Sequence, residues 1–152
     1  MKLGEALTLR SQLQTRFVQL RDRVANSVFA QEGEAPPEDP AALLVELQQV
    51  ASELEELVAR INKTNLATTL ADGRTITDAL ARRDHLTILQ TAIQKVASAA
   101  SENQMRYSKA EIKMTRTVNV ADLRRQADEL ARERRELDAR IQETNWQTDL
   151  AS

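Results

Sequence analysis

Two arginines and two asparagines stand at matching places in the sequence and are the first candidates for ligand chemistry. Arg10 and Arg83 each occupy a position where the helical pattern predicts an apolar residue. Asn65 and Asn145 each follow a threonine in a phrase that the chain writes twice. Guanidinium and amide groups together bind carboxylates or phosphates. The same residues would also serve as a polar layer that fixes helix register, and this role is favoured because a duplication copies structural residues.

Carboxylates at helical spacing are the second candidate for chemistry. Glu53 and Glu56 recur as Glu133 and Glu136, a pattern also found in bundles that hold two metal ions. Such bundles add histidine ligands, whereas this chain has one histidine, His85, with no nucleophile signature beside it. The sequence also lacks phosphate-binding and dinucleotide-binding motifs. We therefore predict no catalytic, cofactor or metal site and no enzymatic activity.

Two segments of opposite charge form the third candidate, an assembly site. Residues 31–39 carry four carboxylates and no cation, whereas the segment 103–119 is basic and rich in β-prone residues. Extended segments of opposite charge would pair within one chain or between subunits. The predicted assembly interface lies in the second segment and comprises Tyr107, Lys109, Ile112, Lys113, Met114 and Arg116.

The composition indicates a helical protein and excludes several classes of function. Of the 152 residues, 41% are hydrophobic and 29% charged, with three glycines and three prolines. The net charge of −2 disfavours a nucleic-acid partner, and the lack of cysteine fits the reducing cytoplasm. The sequence has no uninterrupted apolar stretch of about 20 residues, so we expect a cytoplasmic protein and no membrane partner.

Apolar residues spaced by three and four predict four helices, over residues 4–27, 40–66, 77–102 and 120–146. Asp39 and Pro40 are predicted to cap and begin the second helix, and Asp72-Gly73 to form the turn before the third. A short strand is predicted over residues 28–31, and a β-hairpin or strand pair within 103–119.

The chain contains an internal duplication. Residues 53–70 and 133–150, eighty positions apart, share ten of eighteen residues, and residues 5–13 resemble 78–86 with a shift of 73. The repeats cover approximately 3–70 and 76–150. They predict a single domain, mainly α, in which two αα-hairpins form a four-helix bundle with the small β element at one end.

Four segments resemble a bacterial family of small helical proteins called septicolysin-like. They are LRDRVANSVFAQEGEAPPEDP, ARINKTNLATTLADGRTITDALARRD, RYSKAEIK and RIQETNW, which together span nearly the whole chain. The resemblance implies a cytolytic or membrane-active toxin. The residues themselves favour a non-enzymatic, self-associating helical protein, a homo-oligomer with a structural or protein-interaction role. A binder of small anionic ligands, using the arginine and asparagine cluster, is a further alternative.

Overall fold

The computed structural model describes residues 1–102 and 115–152, which form four α-helices. The helices are α1 (Leu3–Asn26), α2 (Pro40–Ala67), α3 (Ile76–Ser101) and α4 (Val120–Gln147). Every observed helix end lies within one residue of the predicted one, so the prediction of a mainly α protein is confirmed. The described residues separate into two compact units, residues 1–75 with 142–152 and residues 76–141.

In the first unit, α1 and α2 form an antiparallel hairpin across the loop 27–39. Arg16 pairs with Glu46 at 2.7 Å, and Arg23, further along α1, pairs with Glu38. As predicted, the Asp39 carboxylate accepts the Ala41 N–H at 3.0 Å at the start of α2. The buried apolar side chains of this unit are Leu3, Ala6, Leu13, Leu20, Leu43, Val50, Leu57, Ile61 and Leu70.

In the second unit, α3 runs antiparallel to α4. The Arg82 guanidinium, near the start of α3, donates to Glu133 in the middle of α4, whereas Arg124 early in α4 donates to Ser101 at the end of α3. The Asn119 side chain accepts the Asp122 N–H at 3.1 Å and so caps α4. The buried apolar side chains of this unit are Ile76, Ala79, Leu86, Ala97, Ala127, Leu137 and Ile141.

The prediction of a strand over residues 28–31 is wrong. These residues have no regular structure, and Phe29 is 88% exposed. A strand is stable only where a neighbouring strand satisfies its backbone groups and its side chains are covered. The described part of the chain offers residues 28–31 no such neighbour, and Phe29 is uncovered. The predicted β-hairpin falls largely on residues 103–114, outside the described residues, and 115–119 contain no strand.

The two ends of the chain meet in a short antiparallel pairing of residues 1–3 with 148–150, which we call the terminal seam. The Leu3 N–H donates to the Thr148 carbonyl at 2.9 Å, and the Leu150 N–H donates to the Met1 carbonyl at 3.0 Å. Between them Lys2 faces Asp149, and the Lys2 Nζ lies 2.9 Å from Asp149 Oδ1. The terminal seam therefore fixes both chain ends against each other.

The turn between α2 and α3 has the same backbone pairing as the terminal seam, but here the two paired segments are joined by residues 71–73. The Leu70 N–H donates to the Arg74 carbonyl at 2.8 Å, and Thr69 faces Thr75. Leu70 and Thr69 are the counterparts of Leu150 and Asp149 in the duplicated sequence. Gly73 completes this turn with a φ of +84°, which L side chains rarely adopt. The duplication thus extends to individual backbone hydrogen bonds.

Three further contacts hold the terminal seam in place. A Cβ added to Gly4 would lie 2.7 Å from Cδ2 of Trp146, so the indole packs directly on the α1 backbone. The C-terminal residues are held by α2, because the Arg60 Nε donates to the Ala151 carbonyl at 2.8 Å. The Ala151 N–H donates to the Thr64 hydroxyl at 2.9 Å. Glycine at position 4 is therefore required by the close approach of a large ring.

Candidate functional site

The structure separates the predicted arginine and asparagine cluster between the two units. Arg10, Asn65 and Asn145 belong to the first unit, and Arg83 belongs to the second. Asn145 is only 4% exposed, and its Oδ1 has no hydrogen-bond partner among the described residues. The buried Nε of Arg10 is likewise without a partner there. An unsatisfied buried polar atom costs stability, so these two positions are energetically unfavourable in the chain as it stands.

Arg83, by contrast, lies between two carboxylates. Its Nη1 lies 3.3 Å from Asp138 Oδ1 on α4, and its Nη2 lies 3.2 Å from Oδ1 of the adjacent Asp84. Its side chain is 33% exposed. The contact with Asp138 links α3 to α4, which agrees with a register role for this arginine.

Arg83 also lines a cavity between α3 and α4, which we call the basic cavity. It has a volume of about 310 Å³ and is lined by Arg83, Thr87, Arg134, Arg135 and Asp138. Arg134 and Arg135 make no hydrogen bond or ion pair with any residue in the described ranges. Three arginines and one carboxylate residue therefore line this cavity, which leaves an excess of positive charge.

Sequence reasoning found Arg83 but missed Arg134, Arg135 and Asp138. The signal was present in the duplication. The counterparts of these three residues in the first repeat are Leu54, Glu55 and Val58. They fall among the positions at which the two copies of the repeated segment differ, whereas Arg83 matches Arg10. Positions at which the two copies carry different residues are those whose side chains the hairpin fold does not require.

A wider groove on the first unit lacks this excess charge. It has a volume of about 820 Å³ and lies along α1, with Glu46 of α2 at its side. Both guanidinium groups that line it are paired, Arg16 with Glu46 and Arg23 with Glu38. Its polar groups thus satisfy one another, and it has less reason to take an ion.

The predicted carboxylate pairs do not form a metal site within the described part of the chain. Glu53 and Glu56 are exposed on α2, and Glu133 accepts two hydrogen bonds from Arg82, at 2.8 and 3.2 Å. Among the residues described, no three histidine or carboxylate side chains are grouped so as to hold a metal ion. His85 is exposed on α3.

The predicted assembly interface lies mostly outside the described residues. Tyr107, Lys109, Ile112, Lys113 and Met114 belong to the segment 103–114. Arg116 is described, and its Nε donates to the Ala100 carbonyl at 2.6 Å, in the last turn of α3. A cation at this place hydrogen-bonds a terminal carbonyl and interacts favourably with the negative end of the helix dipole.

Helix α3 is apolar on two opposite faces. Its inner face buries Ile76, Ala79, Leu86 and Ala97. On the opposite face, exposed residues recur at spacings of three and four, and we call them the outer stripe: Ala81, His85, Ile88, Ala92, Val96 and Ala99. Ile88 is 70% exposed and Val96 is 48% exposed. A row of apolar side chains at this spacing is typical of a helix that packs against another helix.

Comparison with known proteins places the chain in a family. A model described as a family of unknown function, DUF6847, matches residues 10–150. The chain belongs to the DUF6847 family. A crystal structure of a functionally unknown conserved protein from Corynebacterium diphtheriae has 39% sequence identity and a TM-score of 0.91, and the match covers 99% of each chain. No curated protein shows significant similarity to the sequence.

Neither the family description nor the description of the similar structure names an activity. Neither comparison bears on the septicolysin-like resemblance, which stays a prediction. None of the helices in the described ranges combines the length and apolar character that crossing a bilayer requires.

Proposed function

We propose that this member of the DUF6847 family is a self-associating helical protein with a structural or protein-interaction role. The observation that supports this most directly is the outer stripe of α3. Single exposed apolar side chains are common on soluble proteins, whereas five of the six residues of the outer stripe are apolar and recur at helical spacing. Ile88 and Val96 in particular expose apolar surface that a second helix would cover.

A second copy of α3 is the partner that fits this surface best. When two α3 helices lie antiparallel with residue 90 of one copy opposite residue 90 of the other, Ile88 of one copy faces Ala92 of the other. Large side chains then meet small ones, as interlocking helices require. The exposed Asp84 of one copy also lies close to the exposed Lys95 of the other. In a parallel pair Asp84 would lie level with Asp84 and Lys95 with Lys95, so the antiparallel arrangement is favoured.

The size of the outer stripe sets the expected strength of association. From Ala81 to Ala99 the stripe is about 27 Å long at 1.5 Å per residue. With a width of roughly 10 Å it offers about 270 Å² per copy, well below the ~800 Å² that each partner buries in a standard interface. The dimer should therefore form reversibly and depend on protein concentration in the micromolar range or above.

Light scattering at several protein concentrations tests this proposal. The mass of the wild type should rise from one copy toward two as concentration increases, and Ile88→Asp should remain monomeric throughout. Val45→Asp is the matched control, because Val45 is an exposed apolar residue of α2, 55% accessible, outside the outer stripe. Equal masses for Ile88→Asp and the wild type at every concentration would refute the role of this surface.

A charge exchange tests the antiparallel arrangement. Lys95→Glu places a carboxylate beside Asp84 of the second copy and should weaken the dimer. Combining it with Asp84→Lys restores opposite charges across an antiparallel interface, so the double variant should recover association. In a parallel dimer the double variant would still set like charges against each other and would recover nothing.

The basic segment 103–119 remains the alternative interface. A variant with Lys109, Lys113 and Arg116 changed to Ser separates the two surfaces. We expect it to dimerise as the wild type does. If this variant is monomeric while Ile88→Asp still dimerises, self-association is correct and its location on α3 is not.

A further inference from the structure

We propose that the basic cavity binds a phosphate group carrying two negative charges, as in inorganic phosphate or a phosphate monoester. The site is formed by Arg83 of α3 together with Arg134 and Arg135 of α4. It lies within the second unit and includes no residue of the outer stripe.

Charge balance is the first argument for an anion. Of the three guanidinium groups, only Arg83 is neutralised, by Asp138 at 3.3 Å and by Asp84 at 3.2 Å. Arg134 and Arg135 have no carboxylate partner among the described residues. Guanidinium groups held near each other repel, and bringing in an anion removes this cost and adds charge-assisted hydrogen bonds. An anion would pair with the two arginines that have no carboxylate partner among the described residues.

The duplication supplies the second, independent argument. At the place where the second repeat has Arg134 and Asp138, the first repeat has Leu54 and Val58, and both hairpins fold. Leu54 and Val58 are half-buried, so apolar side chains suffice for packing here. The second repeat thus carries charges that the hairpin does not need for packing, which is the pattern expected of a binding site.

The donor geometry favours phosphate over a carboxylate. Each guanidinium presents a planar fork of N–H donors, and a single carboxylate has two oxygens that one fork can occupy. A phosphate presents oxygens in several directions and can accept from donors on two helices at once. The volume of about 310 Å³ lies at the lower end of the range for ligand pockets, so a small phosphate monoester would fit.

Calorimetric titration with inorganic phosphate tests the site at a fixed ionic strength. The wild type should bind with a stoichiometry of one per chain, and a variant combining Arg134→Leu with Arg135→Glu should bind at least tenfold more weakly. This variant installs the residues of the first repeat, so its fold should persist, as circular dichroism would verify. Arg132→Gln is the matched control, since Arg132 is an exposed arginine of α4 paired with Glu129, and it should bind as the wild type does.

Two outcomes would overturn the proposal. The first is that the wild type does not bind phosphate. The second is that the wild type and the double variant bind it with equal affinity, which would show that binding does not depend on Arg134 and Arg135. The titration should be repeated in the Ile88→Asp background. Unchanged affinity there is expected, because the site is complete in one chain, whereas a loss in that background would show that binding requires the second copy and would refute the site as assigned.

Discussion

Leu150 and Met1, at opposite ends of the sequence, are joined by a backbone hydrogen bond of 3.0 Å. The bond from Leu70 to Arg74 is its counterpart inside the chain, at 2.8 Å. In the internal copy, residues 71–73 provide the covalent link, and in the terminal copy no link exists. The non-covalent pairing of residues 1–3 with 148–150 therefore holds two segments together in the same way as the covalent turn 71–73 does between α2 and α3.

A circular permutant should consequently fold. We expect a chain whose ends are joined by a short Gly-Ser linker, and which is reopened between Gly73 and Arg74, to melt within a few degrees of the wild type. The entropy lost by closing one loop is recovered at the other. Thermal unfolding followed by circular dichroism measures this. A permutant opened inside α2, between Ala51 and Ser52, is the control and should be strongly destabilised.

The contact between Gly4 and Trp146 predicts a coupled pair of substitutions. Gly4→Ala should destabilise the protein by about 1–3 kcal/mol, because its methyl group would overlap the indole at 2.7 Å. With Trp146→Leu, which installs the counterpart residue Leu66, the same alanine should become neutral or stabilising by up to about 1 kcal/mol through helix propensity. Denaturant unfolding of the four proteins in this cycle gives the coupling energy. A zero value would mean that the ring is not in contact.

The ion pair of Lys2 with Asp149 predicts an acid-sensitive terminal seam. The hydrogen bond from Lys2, reinforced by its charge, lowers the pKa of Asp149 below its ordinary value of 3.8. The carboxylate therefore stabilises the folded chain at pH values above that ordinary value, and this contribution is lost as the pH falls through the lowered pKa. Fluorescence of Trp146, the chain's one tryptophan, should report the loosening.

Asp149→Asn is the variant that checks this assignment, since it should remove the acid-induced change in Trp146 fluorescence. Arg23 lowers the pKa of Glu38 by the same mechanism, so the global stability of the wild type also falls in acid. Glu38→Gln should remove that second contribution and leave the tryptophan signal as it was. An unchanged fluorescence transition in Asp149→Asn would contradict the proposed cause.

Much of this fold could be predicted from the sequence, for physical reasons. The helical period, Pro40 and the Asp72-Gly73 turn are local signals, and each places a helix end to within one residue. The prediction of a strand over residues 28–31 was wrong because Val28 and Phe29 have only a preference for strands, and a strand also needs a neighbouring strand.

The basic cavity was harder to predict than the helices. It depends on which side chains of α3 and α4 meet, and helical spacing within one segment carries no such information. Arg83 was found because it matches Arg10, but Arg134 and Arg135 have no match in the first repeat. The partner of Arg83 across the helices, Asp138, could be identified only once the register of α3 against α4 was known.

Arg10 and Arg83 should respond in opposite ways to the same substitution. Arg10→Met should stabilise the protein by about 1 kcal/mol, because it removes a buried donor that has no partner among the described residues. Arg83→Met should cost up to about 1 kcal/mol, because it breaks a half-exposed ion pair with Asp138. Chemical denaturation compares the two. A destabilised Arg10→Met would show that this guanidinium is satisfied in solution.

The buried core and the outer stripe predict a contrast between buried and exposed isoleucines. Ile141→Ala should cost about 2–5 kcal/mol, since this side chain is 1% exposed and leaves a cavity. Ile88→Ala should change monomer stability by no more than about 0.5 kcal/mol. Urea unfolding at concentrations that keep the protein monomeric measures both. A large loss for Ile88→Ala would show that the outer stripe is covered within a single chain.

The terminal seam also determines how the molecule would yield to a pulling force. Met1 and Leu150 are paired at the outer edge of the seam. Tension applied between them would therefore load the hydrogen bonds one after another, as a zip opens, instead of all together in shear. The first rupture would release Lys2 from Asp149 and the tail from Thr64 while α1 and α2 stay paired. Mechanical extension of this protein should begin at its ends and at low force.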